Sequence, residues 1–242
     1  MERNSKQEKI VLQKSMIKLL SVADVITIMN AVLGFLAILL IFSNQFQLAA
    51  AFILLGLLAD GLDGIVARRI GNGQMGEFLE TIADTISLSI APLYLLYKIH
   101  YDVILSSFSL HVVLVAVFLF SLICSMLRLS SFSALKEKRI FVGLPTSANG
   151  IFIVFCAFLN VDLWYIVPFI MLFAWLMISP IRFPKHGLKS DIVATAFILG
   201  TIVLNFIYSD IAPYLLIFGL SLYVIVGPLY LYKKRNSQVK RT

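Results

Sequence analysis

The stretch DGLDGIVARRIGNGQMGEFLETIAD, residues 60–84, decides how this chain folds. Hydrophobic runs flank it on both sides, yet Asp60, Asp63, Glu80 and Asp84 lie within or beside those runs. The IGNG segment at 70–73 reads as a turn, so the flanking runs form an antiparallel helical hairpin. At about 100° per residue, Asp60 and Asp63 stand about 60° apart, with Gly64 and Ala67 on the same stripe. Glu80 and Asp84, spaced i, i+4, share a face of the second helix. The two acid pairs can therefore meet near one end of the hairpin. Asp60 lies about 13 Å deeper along its helix than Arg69.

The rest of the chain sets the solvent around that hairpin. Its 242 residues are 60% hydrophobic and 14% charged, with a mean hydropathy of +0.94. Soluble domains sit near about 45–50% apolar and about 25% charged. The fold class implied is all-α and polytopic, an integral membrane protein. Apolar runs of roughly 18 residues or more read as spanning helices. They predict eight transmembrane helices, at 24–43, 46–69, 75–98, 108–133, 144–161, 163–182, 191–208 and 211–232. Residues 1–22 alternate apolar and basic positions, as an amphipathic helix lying on the headgroups does. The organisation expected is this interfacial segment (1–22), one transmembrane domain (23–235) and a basic tail (236–242). No removable signal peptide is evident in the first run.

Charge placement orients the bundle. Basic clusters precede the first run (Arg3, Lys6, Lys9, Lys14, Lys18) and follow the last (Lys233, Lys234, Arg235, Lys240, Arg241). Others occupy the second–third connection (Arg68, Arg69), the fourth–fifth (Arg128, Lys136, Lys138, Arg139) and the sixth–seventh (Arg182, Lys185, Lys189). With eight spans every cluster falls on one side, which the positive-inside rule makes cytoplasmic, along with both termini. The net charge of +7 then meets anionic lipid, at about 1 kcal/mol per residue near the surface. Nucleic-acid binders concentrate such charge on a soluble face, and no soluble domain is evident. Cys124 and Cys156 lack metal-ligand spacing and read as small buried hydrophobes. The three His are scattered, which gives His-based metal or triad chemistry little support.

Charged acids near mid-bilayer cost roughly 2.5–3.5 kcal/mol each on insertion scales, and gathering like charges adds repulsion. One acid at a helix end would snorkel or pair with Arg68 or Arg69. Four acids on two adjacent helices call for positive compensation. Two divalent cations would balance four carboxylates, and an all-oxygen set suits Mg²⁺, Mn²⁺ or Ca²⁺ over Zn²⁺. Glu77 differs, as a first-turn acid favoured by the helix dipole. Gly61, Gly64 and Ala67 fit either close helix packing or the close approach of a flat ligand; spacing alone leaves both open.

These residues resemble a known family. Asp60-x-x-Asp63-Gly64-x-x-Ala67-Arg68, followed by Gly76-x-x-x-Glu80-x-x-x-Asp84, is similar to the CDP-alcohol phosphotransferase signature D-x2-D-G-x2-A-R-x8-G-x3-D-x3-D. The resemblance implies transfer of a phosphoalcohol from a CDP-linked donor to a hydroxyl, with two divalent cations, Mg²⁺ or Mn²⁺, and release of CMP. It implies metal ligands at Asp60, Asp63, Glu80 and Asp84, with Asp84 also the general base. It implies nucleotide contacts at Asp63, Gly64, Ala67, Arg68 and Gly76. Two departures stand out: Glu80 replaces the third Asp, and seven residues rather than eight separate Arg68 from Gly76. The G-x3-E-x3-D register is kept, and Glu is a competent hard-metal ligand.

Other segments resemble the phosphatidylserine and archaetidylserine synthase branch. DVITIMNAVLGFLAI (24–38) carries Thr27 and Asn30, which are nucleotide-binding candidates. ADTISLSIAP (83–92), LRLSSFSALKEKRIFVGLPTSANG (127–150) and MISPIRFPK (177–185) match more loosely. Ser131 stands where the branch usually has a second Arg, and Ser147 where it often has Pro. Arg128, Arg139 and Ser87 are candidates for binding acceptor or phosphate, although Arg128 also fits a snorkelling topology determinant. Gly143-Leu144-Pro145 reads as a turn opening the fifth helix. The partners implied are a CDP-diradylglycerol donor, L-serine as acceptor, the bilayer and a second copy in a homodimer, with no nucleic acid. The site would face the cytoplasm from the cell membrane. Two alternatives stay open: the same chemistry with glycerol 3-phosphate or an inositol phosphate as acceptor, or an ion-coupled transporter.

Overall fold

The computed structural model describes residues 16–71, 73, 75–131, 140–158, 162–184, 198–200, 203, 218–219 and 224. A short 3-10 turn, Met16–Leu19, leads into α1 (Val22–Phe42). Ser21 opens α1 with a reciprocal cap: its hydroxyl accepts from the Asp24 amide at 3.2 Å, and its own amide donates to the Asp24 carboxylate at 2.7 Å. Two orphan donors of the first turn are thereby satisfied. A tight turn with Asn44 at φ 59° reverses the chain into α2 (Phe46–Ile70), which Gly71 ends at φ 97°. Left-handed backbone of this kind suits glycine, which has no Cβ to clash.

Next comes α3, Gly76–Ile99, one continuous rod whose middle turn, Thr85–Ile90, is π-helical. The short α4 (Tyr101–Ser106) leads to α5 (Phe108–Ser130), capped by the Ser107 hydroxyl. Strand β1 (Ile140–Val142), α6 (Thr146–Ala157), α7 (Leu163–Ile178) and β2 (Arg182–Pro184) follow.

Four helices, α1, α2, α3 and α5, are long and apolar enough to cross a membrane. Their bounds fall within a few residues of the first four expected runs. The fifth and sixth runs appear as shorter apolar helices. At 1.5 Å per residue, α6 is about 18 Å long and α7 about 24 Å, less than a hydrocarbon core of about 30 Å. The seventh and eighth runs, the amphipathic segment through residue 15, the basic tail and Arg139 lie outside the described residues. One departure from an all-α reading is present: β1 and β2 pair antiparallel, with Phe141 opposite Phe183. This clip ties the entry of α6 to the exit of α7.

Small residues explain how the helices adhere. Lipid is as apolar as leucine, so association depends on close packing rather than on escape from water. Along α1 the buried positions Ala23, Thr27, Asn30, Gly34, Ala37 and Ile41 recur every three or four residues. Val25, Met29, Val32 and Phe35 occupy the exposed side, as expected of a helix bordered by lipid. Gly34 meets α3 so closely that a Cβ there would lie 2.6 Å from the Ser87 Cα. Gly150 does the same from α6, with the Leu88 carbonyl 2.8 Å from its absent Cβ. The π-helical turn of α3 is thus wedged between α1 and α6. It sits directly after Asp84.

Candidate active site

Asp60 and Asp63 stand on the last three turns of α2, and Glu80 and Asp84 on the first turns of α3. The hairpin brings one carboxylate oxygen from each of Asp60, Glu80 and Asp84 within 4.8 Å of one another. Asp84 is 5% exposed, while Asp60 and Glu80 are half-buried. Three gathered carboxylates repel one another in a medium of low dielectric, and a bound cation relieves that repulsion. The donors are all oxygen, which fits Mg²⁺, Mn²⁺ or Ca²⁺. These residues could hold a metal ion.

Helix α1 supplies the supports. The Asn30 amide nitrogen donates to Asp84 Oδ1 at 2.9 Å, and Asn30 is fully buried. One turn earlier, the Thr27 hydroxyl donates to Asp63 Oδ2 at 2.6 Å and to the Ala23 carbonyl at 3.1 Å. Both are side-chain donors aimed at carboxylates, so they orient acids whose burial would otherwise leave oxygens unsolvated. Asp63, 6% exposed, thus has one oxygen fixed against α1, just outside the group of three. Both supports join residues 36 or 54 positions apart in sequence.

A cavity of about 380 Å³ opens beside the acids. Asp60, Glu80 and Asp84 line one wall; Arg128 and Ser130 from the end of α5 line another, and Pro145, Thr146 and Ser147 at the start of α6 a third. Arg128 is 7% exposed, so its charge belongs to the interior of the protein rather than to the headgroup layer.

The glycines divide by role. A Cβ on Gly61 would meet nothing within 4 Å, and one on Gly64 only the Arg68 Nη1 at 3.4 Å. Neither serves as a helix-packing contact among the described residues, which leaves the backbone there open to a ligand. Close packing falls instead to Gly34, Gly56 and Gly150. Gly76 is buried at the first turn of α3, Ala67 is half-buried, and Arg68 is exposed in the last turn of α2. Ser87 donates to the Ala83 carbonyl at 3.0 Å and packs beneath Gly34. It is not among the residues lining the cavity.

Thr146 was not singled out from the sequence. It sits in the GLPTSANG segment, 4% exposed, and lines the same cavity as the acids. Its relevance depends on the chain folding back from residue 140 to the hairpin, which no local pattern announces.

Comparison with known proteins agrees with this arrangement. The family model for CDP-alcohol phosphatidyltransferase matches residues 20–181, which include every element around the cavity. The chain is 37% identical over 176 residues to a CDP-diacylglycerol–serine O-phosphatidyltransferase of Methanocaldococcus jannaschii, covering 71% of this chain and 78% of that protein. It is 31% identical to the enzyme of the same name in Bacillus subtilis, covering 68% of this chain and 92% of that protein. An archaetidylserine synthase of Methanothermobacter thermautotrophicus is 30% identical, over 71% of this chain and 73% of that protein. The helical hairpin, its converging acids and these similarities have one reading: the chain belongs to the CDP-alcohol phosphatidyltransferase family, and it is a membrane-embedded transferase.

Proposed function

We propose that this enzyme transfers the phosphatidyl group of a CDP-linked diradylglycerol to the hydroxyl of L-serine and releases CMP, with divalent cations at the acidic cluster. The observation that carries the reading is the meeting of the Asp60, Glu80 and Asp84 carboxylates beside a cavity of about 380 Å³. Serine comes from the relatives, whose names specify serine or archaetidylserine.

Asp60, Asp63, Glu80 and Asp84 would hold the cations. When bound, Mg²⁺ or Mn²⁺ would neutralise the diphosphate and stabilise charge on the departing CMP oxygen. Asn30 donates to Asp84 Oδ1, which keeps a second lone pair for a cation, and Oδ2 accepts the proton of the serine hydroxyl. The serine oxygen then bonds to the lipid-side phosphorus as the bond from that phosphorus to the CMP oxygen breaks. Gly64, Ala67, Arg68 and Gly76 provide the face on which the nucleotide lies, open at Gly64 because no neighbouring helix fills it. Thr27 and Asn30 act through the carboxylates they orient. Catalysis rests on positioning and charge neutralisation.

The wider setting belongs to the same proposal: eight spans, a cytoplasmic site reached by water-soluble serine, lipid tails left in the bilayer, and a homodimer. Purified protein in nanodiscs containing CDP-diacylglycerol, offered L-serine, glycerol 3-phosphate or an inositol phosphate separately, tests the chemistry. CMP release with L-serine, abolished by EDTA and restored by Mg²⁺ or Mn²⁺, is the expected result. CMP release with another acceptor alone would replace serine. Cation uptake without CMP release would replace the enzyme reading with a transporter.

A further inference from the structure

Helix α1 meets the acidic hairpin along one buried stripe, where Thr27 holds Asp63 and Asn30 holds Asp84. One turn nearer the start of the helix, on the same stripe, stands Asp24. It is 1% exposed, a costly place for a carboxylate. Neither the acidic group nor the cavity lining includes it. Its Oδ2 caps the Ser21 amide at 2.7 Å, but a first-turn acid can do that from the surface, so capping does not explain the burial.

What covers Asp24 is the connection between α2 and α3. A Cβ on Gly73 would collide with Asp24 Oδ2, and it would lie 3.0 Å from the Asp24 Cγ and 2.8 Å from the Leu19 carbonyl oxygen. The left-handed glycines are Gly71 and Gly143. The conformation of Gly73 would therefore admit a side chain, and only this contact forbids one. Backbone rests directly on the carboxylate, a close approach that the missing Cβ permits.

That seat is passed on in both directions. The Gly71 amide donates to the Ala67 carbonyl at 2.9 Å, and the Gly76 amide to the Gly73 carbonyl at 3.3 Å. Ala67 and Gly76 flank the connection, and both belong to the proposed nucleotide face. Seven residues separate Arg68 from Gly76, one fewer than in the family signature. The connection has correspondingly less slack, so its placement on α1 fixes both flanks.

We infer that Asp24 is a positioning residue for the CDP-linked donor: it seats Gly73, and that seat holds the Ala67 and Gly76 sides of the nucleotide face in place. The inference rests on the nucleotide assignment proposed above. Helix α1 then bears three rungs on one stripe, Asp24 for the nucleotide face and Thr27 and Asn30 for the carboxylates. Asp24 touches no reacting atom; it acts through Gly73.

The test measures CMP release by the full chain in nanodiscs with Mg²⁺, varying CDP-diacylglycerol and the acceptor in turn, with Tm recorded for each variant. Gly73→Ala should raise the KM for CDP-diacylglycerol about tenfold, within the range that overpacking produces. The KM for the acceptor should stay within about twofold, as a loss of donor binding alone requires. Asp24→Ala removes the seat and should raise the donor KM by a similar factor. The double variant should be no worse than Gly73→Ala, because the two residues share one contact. Asp24→Asn keeps the shape and an acceptor for the Ser21 amide, and should hold the donor KM within about threefold of wild type. Ser21→Ala separates capping from seating: it lowers Tm and leaves the donor KM unchanged. Multiplying effects in the double variant, a donor KM raised as much by Ser21→Ala as by Asp24→Ala, or equal shifts in both KM values would overturn the role. A wild-type chain that releases no CMP with any acceptor sinks the proposed function and this inference with it. Wild-type turnover with an unaltered donor KM in Gly73→Ala and Asp24→Ala sinks the inference alone.

Discussion

Asp84 has two oxygens and, in the proposed reaction, two tasks. Asn30 donates to one at 2.9 Å from a fully buried position on α1, which fixes the plane of the carboxylate before any substrate arrives. The other oxygen is left for the acceptor proton. Asp84→Asn keeps the shape of the side chain and removes its basicity. It is expected to lower CMP release by about 10²–10⁴-fold, the usual worth of a positioned general base. Affinity for the CDP-linked lipid, measured by equilibrium binding, should stay within about threefold. Near-normal turnover in that variant would remove Asp84 from the role of base. The acids themselves were legible in the sequence, because i, i+3 and i, i+4 spacings on two helices joined by a short turn leave few ways to arrange them. Their supports were legible only as residue types. That Thr27 faces Asp63 and Asn30 faces Asp84 depends on how far α1 slides along the hairpin, and local periodicity does not encode that distance.

At the scale of elements, the register between α1 and α3 rests on Gly34. A Cβ at this position would lie 2.6 Å from the Ser87 Cα and 2.9 Å from its amide nitrogen. Backbone atoms do not yield as a flexible side chain would, so Gly34→Ala must push the helices apart. Overpacking of this kind costs about 1–3 kcal/mol, and the same movement withdraws Asn30 from Asp84, one turn away. Gly34→Ala should therefore lower both Tm and CMP release. Gly61→Ala is the matched control for stability, since its Cβ would meet nothing within 4 Å and alanine favours helix over glycine. Its Tm should be unchanged or higher, and equal losses of Tm in the two variants would contradict this packing. The sequence left Gly61, Gly64 and Ala67 open between helix packing and the approach of a ligand, and the close helix approaches occur elsewhere, at Gly34, Gly56 and Gly150. The signal was ambiguous for a physical reason: an absent side chain accommodates a helix or a ligand equally well, and only the neighbour distinguishes them. The π-helical turn after Asp84 and the β1–β2 clip have the same character. Each is set by long-range packing, and each aims a wall of the cavity.

At the scale of the molecule, hydropathy located the four long helices because a bilayer imposes one length on every span, whereas α6 and α7 end sooner than their apolar runs. The cavity is lined from the C-terminal ends of α2 and α5 and the N-terminal ends of α3 and α6. In antiparallel packing these ends share one side of the membrane, the side that carries Arg68, Arg69 and Arg128. The proposed orientation makes that side cytoplasmic, the side from which the serine and CMP of the proposed reaction would enter and leave. Single cysteines test this directly. Cys124 and Cys156 are each 1% exposed, so they contribute little background to labelling by a membrane-impermeant maleimide. Ser43→Cys, in the exposed α1–α2 turn, should label in intact cells. Ile70→Cys, 70% exposed at the end of α2, should label only after the membrane is permeabilised. The reverse pattern would invert the bundle and put the acidic cluster on the outer face. Labelling of both positions in intact cells would mean that α2 does not cross. Asp60 would then lie in water rather than lipid, and the argument that its burial demands a compensating cation would fail with the topology.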